Sequence, residues 1–310
     1  MKFSPPPISL RQLQYIVAVA EQRSFRRAAE LCHVSQPALS EQVAQAEEVL
    51  AVRLFERGRH GVVVTTAGKA IAEKAQALCS QAETLVESAR HFADPFAGRL
   101  RIGVIPTVAP YLLRDLAPEI RERYPKLILL WTEEKTETLV QRLARADLDA
   151  AIVALEADIG DLERVVLGQD PFVFAAAPSH RLAASSKPLK PDDLDGESVL
   201  LLDEGHCFRK QVLSFCSRTS SEEAGYRATS LATLVQMVAG GVGVTLLPSL
   251  ALPVENRNKV LHVRPFAPKA PERTLALCWR RGSGLHTTLT AVGETARRAY
   301  QAVVRRPPAD

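Results

Sequence analysis

SFRRAAELCHVSQPALSEQVAQAEEVLAVRLFERG, residues 24–58, decides the fold. Ser24 opens a short helix with Phe25, Ala28, Ala29 and Cys32 on one face, its hydroxyl placed to take up a free N–H of the first turn. His33 and Val34 turn the chain. Ser35 opens the next helix, which tolerates Pro37 in its first turn and has Leu39, Val43, Ala46 and Leu50 on its buried side. Arg57-Gly-Arg-His-Gly61, set between Leu54-Phe55 and Val62-Val-Val64, reads as a basic hairpin. Upstream, Ser9 and Gln12 have capping-box spacing ahead of Leu10, Leu13, Ile16, Val17 and Ala20, another helical stripe. Helices, turn and hairpin predict a winged helix-turn-helix over residues 1–65.

A recognition helix enters the major groove with its N-terminal end at base edges and phosphates. Ser35, Gln36, Pro37 and Ser40 occupy that end. The Gln36 amide suits a base edge, and the serines and free N–H groups suit phosphates. Arg26, Arg27 and Arg57 flank them as phosphate contacts. A small helical core without DNA would show the same pattern, so pattern alone leaves both readings open.

A long helix follows over residues 66–93. Ile71, Leu78, Leu85 and Phe92 recur every seven residues, and Ala75, Ala82 and Ala89 recur four residues after the first three. An apolar seam of that period predicts close pairing with a second helix, hence a dimer, although one amphipathic helix packed on its own domain would share the pattern. Asp94-Pro-Phe-Ala-Gly98 ends the helix and marks the domain boundary.

From residue 98 to 304, strand-like and helical runs alternate. Leu100–Ile105, Tyr111–Tyr124, Leu127–Trp131, Thr136–Ala146 and Ala150–Leu155 form a βαβαβ unit, which implies a parallel sheet covered by helices. Strands at Phe172–Ala177, Val199–Leu202, Tyr226–Thr229 and Val244–Leu247 predict a second α/β lobe. A strand at Thr274–Trp279 and a C-terminal helix return to the first sheet, with a loose tail after Val304. Gly240-Gly-Val-Gly243 is a loop after a helix, not a dinucleotide fingerprint, and no cofactor is expected.

Composition narrows the class. No apolar run reaches the length of a membrane span, and MKFSPPPISL has no signal-peptide core, so a cytoplasmic protein is expected. A net charge of +4 permits nucleic-acid binding without arguing for it. Five cysteines, an odd number without a CxxC pair, fit neither a secreted disulfide framework nor a structural zinc site. Cys32 and Cys278 read as packing residues, and Cys79 flanks the helical seam as an unreactive thiol.

Cys207 is different. In Gly205-His-Cys-Phe-Arg-Lys-Gln-Val-Leu-Ser-Phe-Cys216 it stands in the first turn of a predicted helix, with His206 and Arg209 beside it. Partial positive charge there favours the thiolate. Along an intact helix Cys216 would lie roughly 13–14 Å away on nearly the opposite face, whereas a disulfide needs Cα atoms within about 7 Å. If the two join, the helix must unwind. Two small core residues would fit the same spacing, so the pattern leaves this open. Thr107 and Thr136 fall just past the carboxyl ends of successive strands, where open α/β sheets place ligands.

Four motifs between Leu10 and Lys69 resemble the N-terminal domain of LysR-type regulators. They are Ala28-Ala29, Ser35-Gln-Pro-Ala-Leu-Ser40, Phe55-Glu-Arg57 and Thr65-x-Ala-Gly68. Ile105-Pro-Thr-Val108, Gly205-His-Cys207, Phe215-Cys216, Arg227-Ala-Thr-Ser-Leu231 and Gly243-Val-Thr-Leu-Leu-Pro248 resemble the hydrogen-peroxide-sensing OxyR group of that family, over almost the whole chain. The resemblance implies a DNA-binding regulator, not an enzyme, with a periplasmic-binding-protein-like two-lobed sensing domain. It implies Cys207 as the peroxidatic residue and Cys216 as the resolving one, with Thr107, Thr136, His206 and Arg273 around the peroxide. It further implies promoter DNA, RNA polymerase and a homodimer assembling to a homotetramer as partners, with control of antioxidant genes. Lys210 departs from the group, which usually carries Asp there. Two rivals remain on the residues alone: a regulator answering a small organic effector in the cleft, and a thiol peroxidase.

Overall fold

In the computed structural model, residues 7–58, 61–203, 212, 222–268 and 270–306 are described. The chain divides into two compact units, Met1–Ala89 with Arg145–Asp147 and Arg90–Ala144 with Leu148–Asp310.

The first unit contains α1 (Leu10–Gln22), α2 (Phe25–Leu31), α3 (Gln36–Leu50), β1 (Phe55–Gly58), β2 (Gly61–Val64) and the start of α4 (Thr66–Ala93). Every helix start here is set by a local oxygen. Ser9 and Gln12 form the reciprocal capping box, Ser24 accepts from the Arg27 N–H, and Ser35 accepts from the Ala38 N–H. His33 takes the left-handed conformation (φ 56°) that the turn between α2 and α3 requires. Tyr15, Ile16, Val19, Ala28, Ala29, Leu39, Val43, Ala46, Leu54 and Phe55 form the core. The α1 stripe is rotated from the sequence reading: Leu10 is 43% exposed, and Tyr15, Ile16 and Val19 carry the buried face. Tyr15 replaces Leu10 because its hydroxyl accepts from the Arg11 side chain at 2.7 Å while its ring packs inward. Cys32 is half-buried at the end of α2. The hairpin is present, with Arg57 opposite Val62 and Gly58 opposite Gly61.

The second unit is a two-lobed α/β fold. Strands β3 (Gly98–Val104), β4 (Leu127–Glu133) and β5 (Ala150–Ala154) run parallel, joined by α5 (Ala109–Arg123) and α6 (Thr136–Ala144). Strand β6 (Leu162–Ala176) is 15 residues long, longer than the sequence reading of Phe172–Ala177. Its first part lies antiparallel to β11 (Glu272–Arg280), which pairs with β5. Its second part pairs with β9 (Thr245–Pro248) and β10 (His262–Arg264) in the other lobe. There β7 (Ser198–Leu202) and β8 (Glu222–Ala228) run parallel, beside α7 (Leu231–Ala239). A short α8 (Leu252–Glu255) and a long α9 (His286–Arg305) complete the described elements. The late strand thus returns to the first sheet as expected, and α9 continues one residue past Val304. The core runs through both lobes, with Trp279, Phe172 and Phe174 among its fully buried side chains.

Candidate functional site

The N-terminal end of α3, where the sequence places the DNA contacts, is open. Ser35, Gln36, Pro37 and Ala38 are exposed, while Leu39 one residue later is fully buried. A single turn therefore presents its polar end outward and anchors itself inward. Arg26 is exposed and pairs with Glu30, and Arg27 donates to the Gln22 carbonyl at the end of α1 (2.7 Å). Arg27 thus caps the end of α1. The side chain of Arg57 lies outside the described residues.

Behind α3, Glu47 accepts from the Leu54 and Phe55 N–H groups (2.6 and 3.1 Å) and fixes where the wing begins. The Thr65-x-Ala-Gly68 motif is a helix start. Thr65 Oγ1 accepts from the Gly68 N–H (2.9 Å) and donates toward the Arg53 carbonyl (2.9 Å). A Cβ at Gly68 would lie 2.1 Å from the Leu54 carbonyl oxygen, so only glycine permits this approach. On α4, Ala75 is buried, Leu78 is 50% exposed and Leu85 is 73% exposed. The Phe92 side chain is outside the described residues, and Ile71 packs partly against the core of the first unit.

In the second unit a cavity of about 310 Å³ opens between the lobes, lined by Thr107, Tyr111, Glu133, Lys135, Thr229 and Glu255 among others. Thr107 follows β3 and Thr136 opens α6 after β4, as the strand-end argument predicts. Arg273, fully buried on β11, organises this end of the cleft. Its Nη1 donates to Thr107 Oγ1 (2.6 Å) and its Nη2 to the Thr107 carbonyl (3.0 Å). Its Nε and Nη2 reach Asp170 Oδ2 at 3.0 and 2.9 Å, and Asp170 Oδ1 accepts from the Leu250 N–H at 3.0 Å. Arg273 and Asp170 are register partners across the β6–β11 pair, both with zero exposure. A charge buried this deeply requires its counter-ion, and this pair has one.

Because Thr107 Oγ1 accepts from a guanidinium, its own hydroxyl proton is free to be donated to a ligand oxygen or a thiolate. The Thr136 hydroxyl is buried and has no hydrogen-bond partner among the described residues. A polar bound molecule would satisfy it. Across the cleft, the Tyr111 hydroxyl donates to Glu255 Oε1 at 2.6 Å. Burial, then this acceptor, pushes the phenol well above its ordinary range, so it stays a donor.

The family model described as the LysR substrate binding domain matches residues 93–301, and that of the bacterial regulatory helix-turn-helix protein of the lysR family matches residues 10–69. A hydrogen peroxide-inducible genes activator of Dickeya chrysanthemi is 40% identical over 296 residues, 95% of this chain and 96% of its own. The DNA-binding transcriptional dual regulator OxyR of Escherichia coli K12 is 38% identical over 291 residues, 94% and 95% of the two chains. Full-length OxyR from Pseudomonas aeruginosa, in a cysteine-to-aspartate form, superposes with a TM-score of 0.73 at 35% identity, covering 94% of this chain and 98% of that one. The chain belongs to the LysR family, in its OxyR group. A cysteine-to-serine OxyR from Corynebacterium glutamicum, solved with hydrogen peroxide bound, gives a TM-score of 0.65 at 31% identity over 98% and 96% of the two chains.

Of the residues expected around a peroxide in an OxyR-type cleft, Thr107 and Arg273 are in direct contact, and Thr136 occupies the matching position after the next strand. His206, Cys207, Cys216 and Lys210 lie outside the described residues. Asp170, Tyr111 and Glu255 were not singled out from sequence. An acid inside the otherwise apolar Asp170-Pro-Phe-Val-Phe174 is the one signal that could have found Asp170, since a buried carboxylate demands a cation. Burial pushes Cys278 up to about 12 and raises Cys32 and Cys79. Among the described residues, no helix is long and apolar enough to cross a membrane.

Proposed function

We propose that the chain is a DNA-binding transcriptional regulator that senses hydrogen peroxide through Cys207 and Cys216. The observation that carries this reading is the buried Asp170–Arg273–Thr107 relay, which leaves a hydroxyl proton available at the strand end where small polar ligands bind. The unsatisfied Thr136 hydroxyl supports a polar occupant. So does the likeness to an OxyR solved with peroxide bound.

In the proposed chemistry, the Cys207 thiolate attacks one peroxide oxygen, the O–O bond breaks, and hydroxide leaves and is protonated to water. Thr107 and Thr136 orient the peroxide, and His206 and Arg273 stabilise charge around it. Cys216 then attacks the sulfenic sulfur, a disulfide forms and a second water departs. The segment between them refolds, and that shift alters how subunits address two half-sites on DNA. A thiol reductant restores the starting state.

The division proposed is a DNA-binding domain over residues 1–65, a dimerisation helix over 66–93 and a sensing domain over 98–304. Ser35, Gln36, Pro37 and Ser40 read the major groove, while Arg26, Arg27 and Arg57 hold phosphates. Ile71, Leu78, Leu85 and Phe92 pair two helices, a reading supported by the exposure of Leu78 and Leu85. Two dimers form a tetramer that recruits RNA polymerase in the cytoplasm, at promoters of peroxide-removing enzymes.

The deciding experiment is promoter footprinting with and without peroxide, on the parent chain and on Cys207→Ser. A peroxide-dependent change in protected half-sites, absent in Cys207→Ser, is expected. A response to a small organic effector that survives Cys207→Ser would overturn the proposal. So would sustained peroxide turnover with a thiol reductant at enzymatic rates.

A further inference from the structure

A second groove of the sensing unit, about 630 Å³, lies where the end of α9 meets residues 249–263. Leu250, Leu252, Leu261, Val263 and Val303 give it apolar walls. Its charged lining consists of Arg257, Lys259 and Arg306, without a carboxylate. Arg306 is held by Asp115 at 2.7 Å. The side chains of Arg257 and Lys259 engage no partner among the described residues.

The loop that carries those two cations is built rigidly. Asn256 Nδ2 donates to the Leu261 carbonyl (3.0 Å), and the Leu261 N–H donates back to Asn256 Oδ1 (2.9 Å). The Lys259 N–H closes the turn on the Asn256 carbonyl (3.0 Å), with Lys259 in the left-handed conformation at φ 54°. A non-glycine residue holds that conformation only when its surroundings fix it. The groove thus joins an apolar trough, of a size common to small-molecule sites, to an exposed cationic rim carried on a hydrogen-bonded loop.

The geometry points to an accessory binding site for an amphipathic monoanion, a hydrocarbon body carrying one carboxylate. The body replaces water along Leu252, Val263 and Val304, and the carboxylate meets Arg257 and Lys259. A neutral apolar molecule would leave the rim unused, and a cation would be repelled.

Segment 249–256 also connects this groove to the interlobe site. Its Leu250 N–H donates to Asp170, and its Glu255 accepts from Tyr111. An occupant that displaces Leu250 therefore acts on the Asp170–Arg273–Thr107 relay. Binding stands independently of the peroxide reading; its effect on Cys207 rests on that reading.

Isothermal titration calorimetry of the full chain with dodecanoate, kept below its micelle-forming concentration, tests the site. Saturable binding of one molecule per chain is expected, without matching heat from dodecyltrimethylammonium. Arg257→Glu combined with Lys259→Glu should weaken binding at least about tenfold. Arg257→Lys combined with Lys259→Arg, which keeps both charges, should preserve it. Heat that does not saturate, equal binding of the cationic amphiphile, or affinity unchanged by charge reversal would overturn the site. Bound dodecanoate should also change the rate of Cys207 alkylation by iodoacetamide; an unchanged rate would overturn the coupling.

Discussion

The two units are specified over very different lengths of chain. In the first, each helix start is settled within three residues: Ser9 with Gln12, Ser24 with Arg27, Ser35 with Ala38, Thr65 with Gly68. In the second, the contacts that fix the cleft join residues 80 to 166 positions apart, as Leu250 with Asp170 and Arg273 with Thr107. Local caps make a reading head that forms from its own sequence. Distant pairs build the cleft: Arg273 holds Thr107 within the first lobe, while Tyr111 with Glu255 and Leu250 with Asp170 tie segment 249–256 to it.

That contrast is open to attack, starting with its strongest contact. Arg273→Ala leaves Asp170 charged, buried and unpaired, and should destabilise the sensing unit by about 3–5 kcal/mol in urea unfolding. Retention of parent stability would mean that the buried pair does not hold β6 against β11. Gly68→Ala forces the Leu54 backbone away from α4 and should destabilise the first unit by about 1–3 kcal/mol. Circular dichroism melts of the isolated α1–β2 region with α4 would show no change if the close approach were unimportant.

Ser35→Ala removes one capping acceptor and should lower first-unit stability by about 1 kcal/mol, while weakening DNA affinity in a titration at fixed salt. A loss larger than that would show that the cap does more than start a helix. The smallest effect lies at Glu163. The Gly282 N–H, then His286, hold its carboxyl below the usual range. Its folded value lies below its unfolded one, so its stabilisation is present above the ordinary glutamate range and fades as pH falls through the depressed value. Glu163→Gln should flatten the acid limb of the melting curve. An acid limb identical to the parent's would remove Glu163 from the account.

The same contrast explains what could be read from sequence. The winged helix-turn-helix was legible because its caps, turn and hairpin residues lie side by side in the chain. Even so, the phase of α1 was missed, since Leu10 suggests a buried start while Tyr15 does the packing. The βαβαβ unit was legible from its periodicity. The first half of β6 was not, because Glu163, Arg164, Gln169 and Asp170 interrupt the apolar alternation, and β10, only three residues long, is too short to show any. Thr107 and Thr136 followed from their places after strands. Arg273 entered only through family resemblance, and its hydrogen bond to Thr107, across 166 residues, has no local signature. Tyr111 and Glu255, 144 residues apart, share that invisibility.

Mass spectrometry of non-reduced peptides after sub-stoichiometric peroxide reaches the centre of this account. The linked pair Cys207–Cys216 should appear as peroxide is consumed, should vanish on reduction, and should form more slowly in Thr107→Val. Peroxide consumed with both thiols still free, or with Cys207 joined elsewhere, would contradict it.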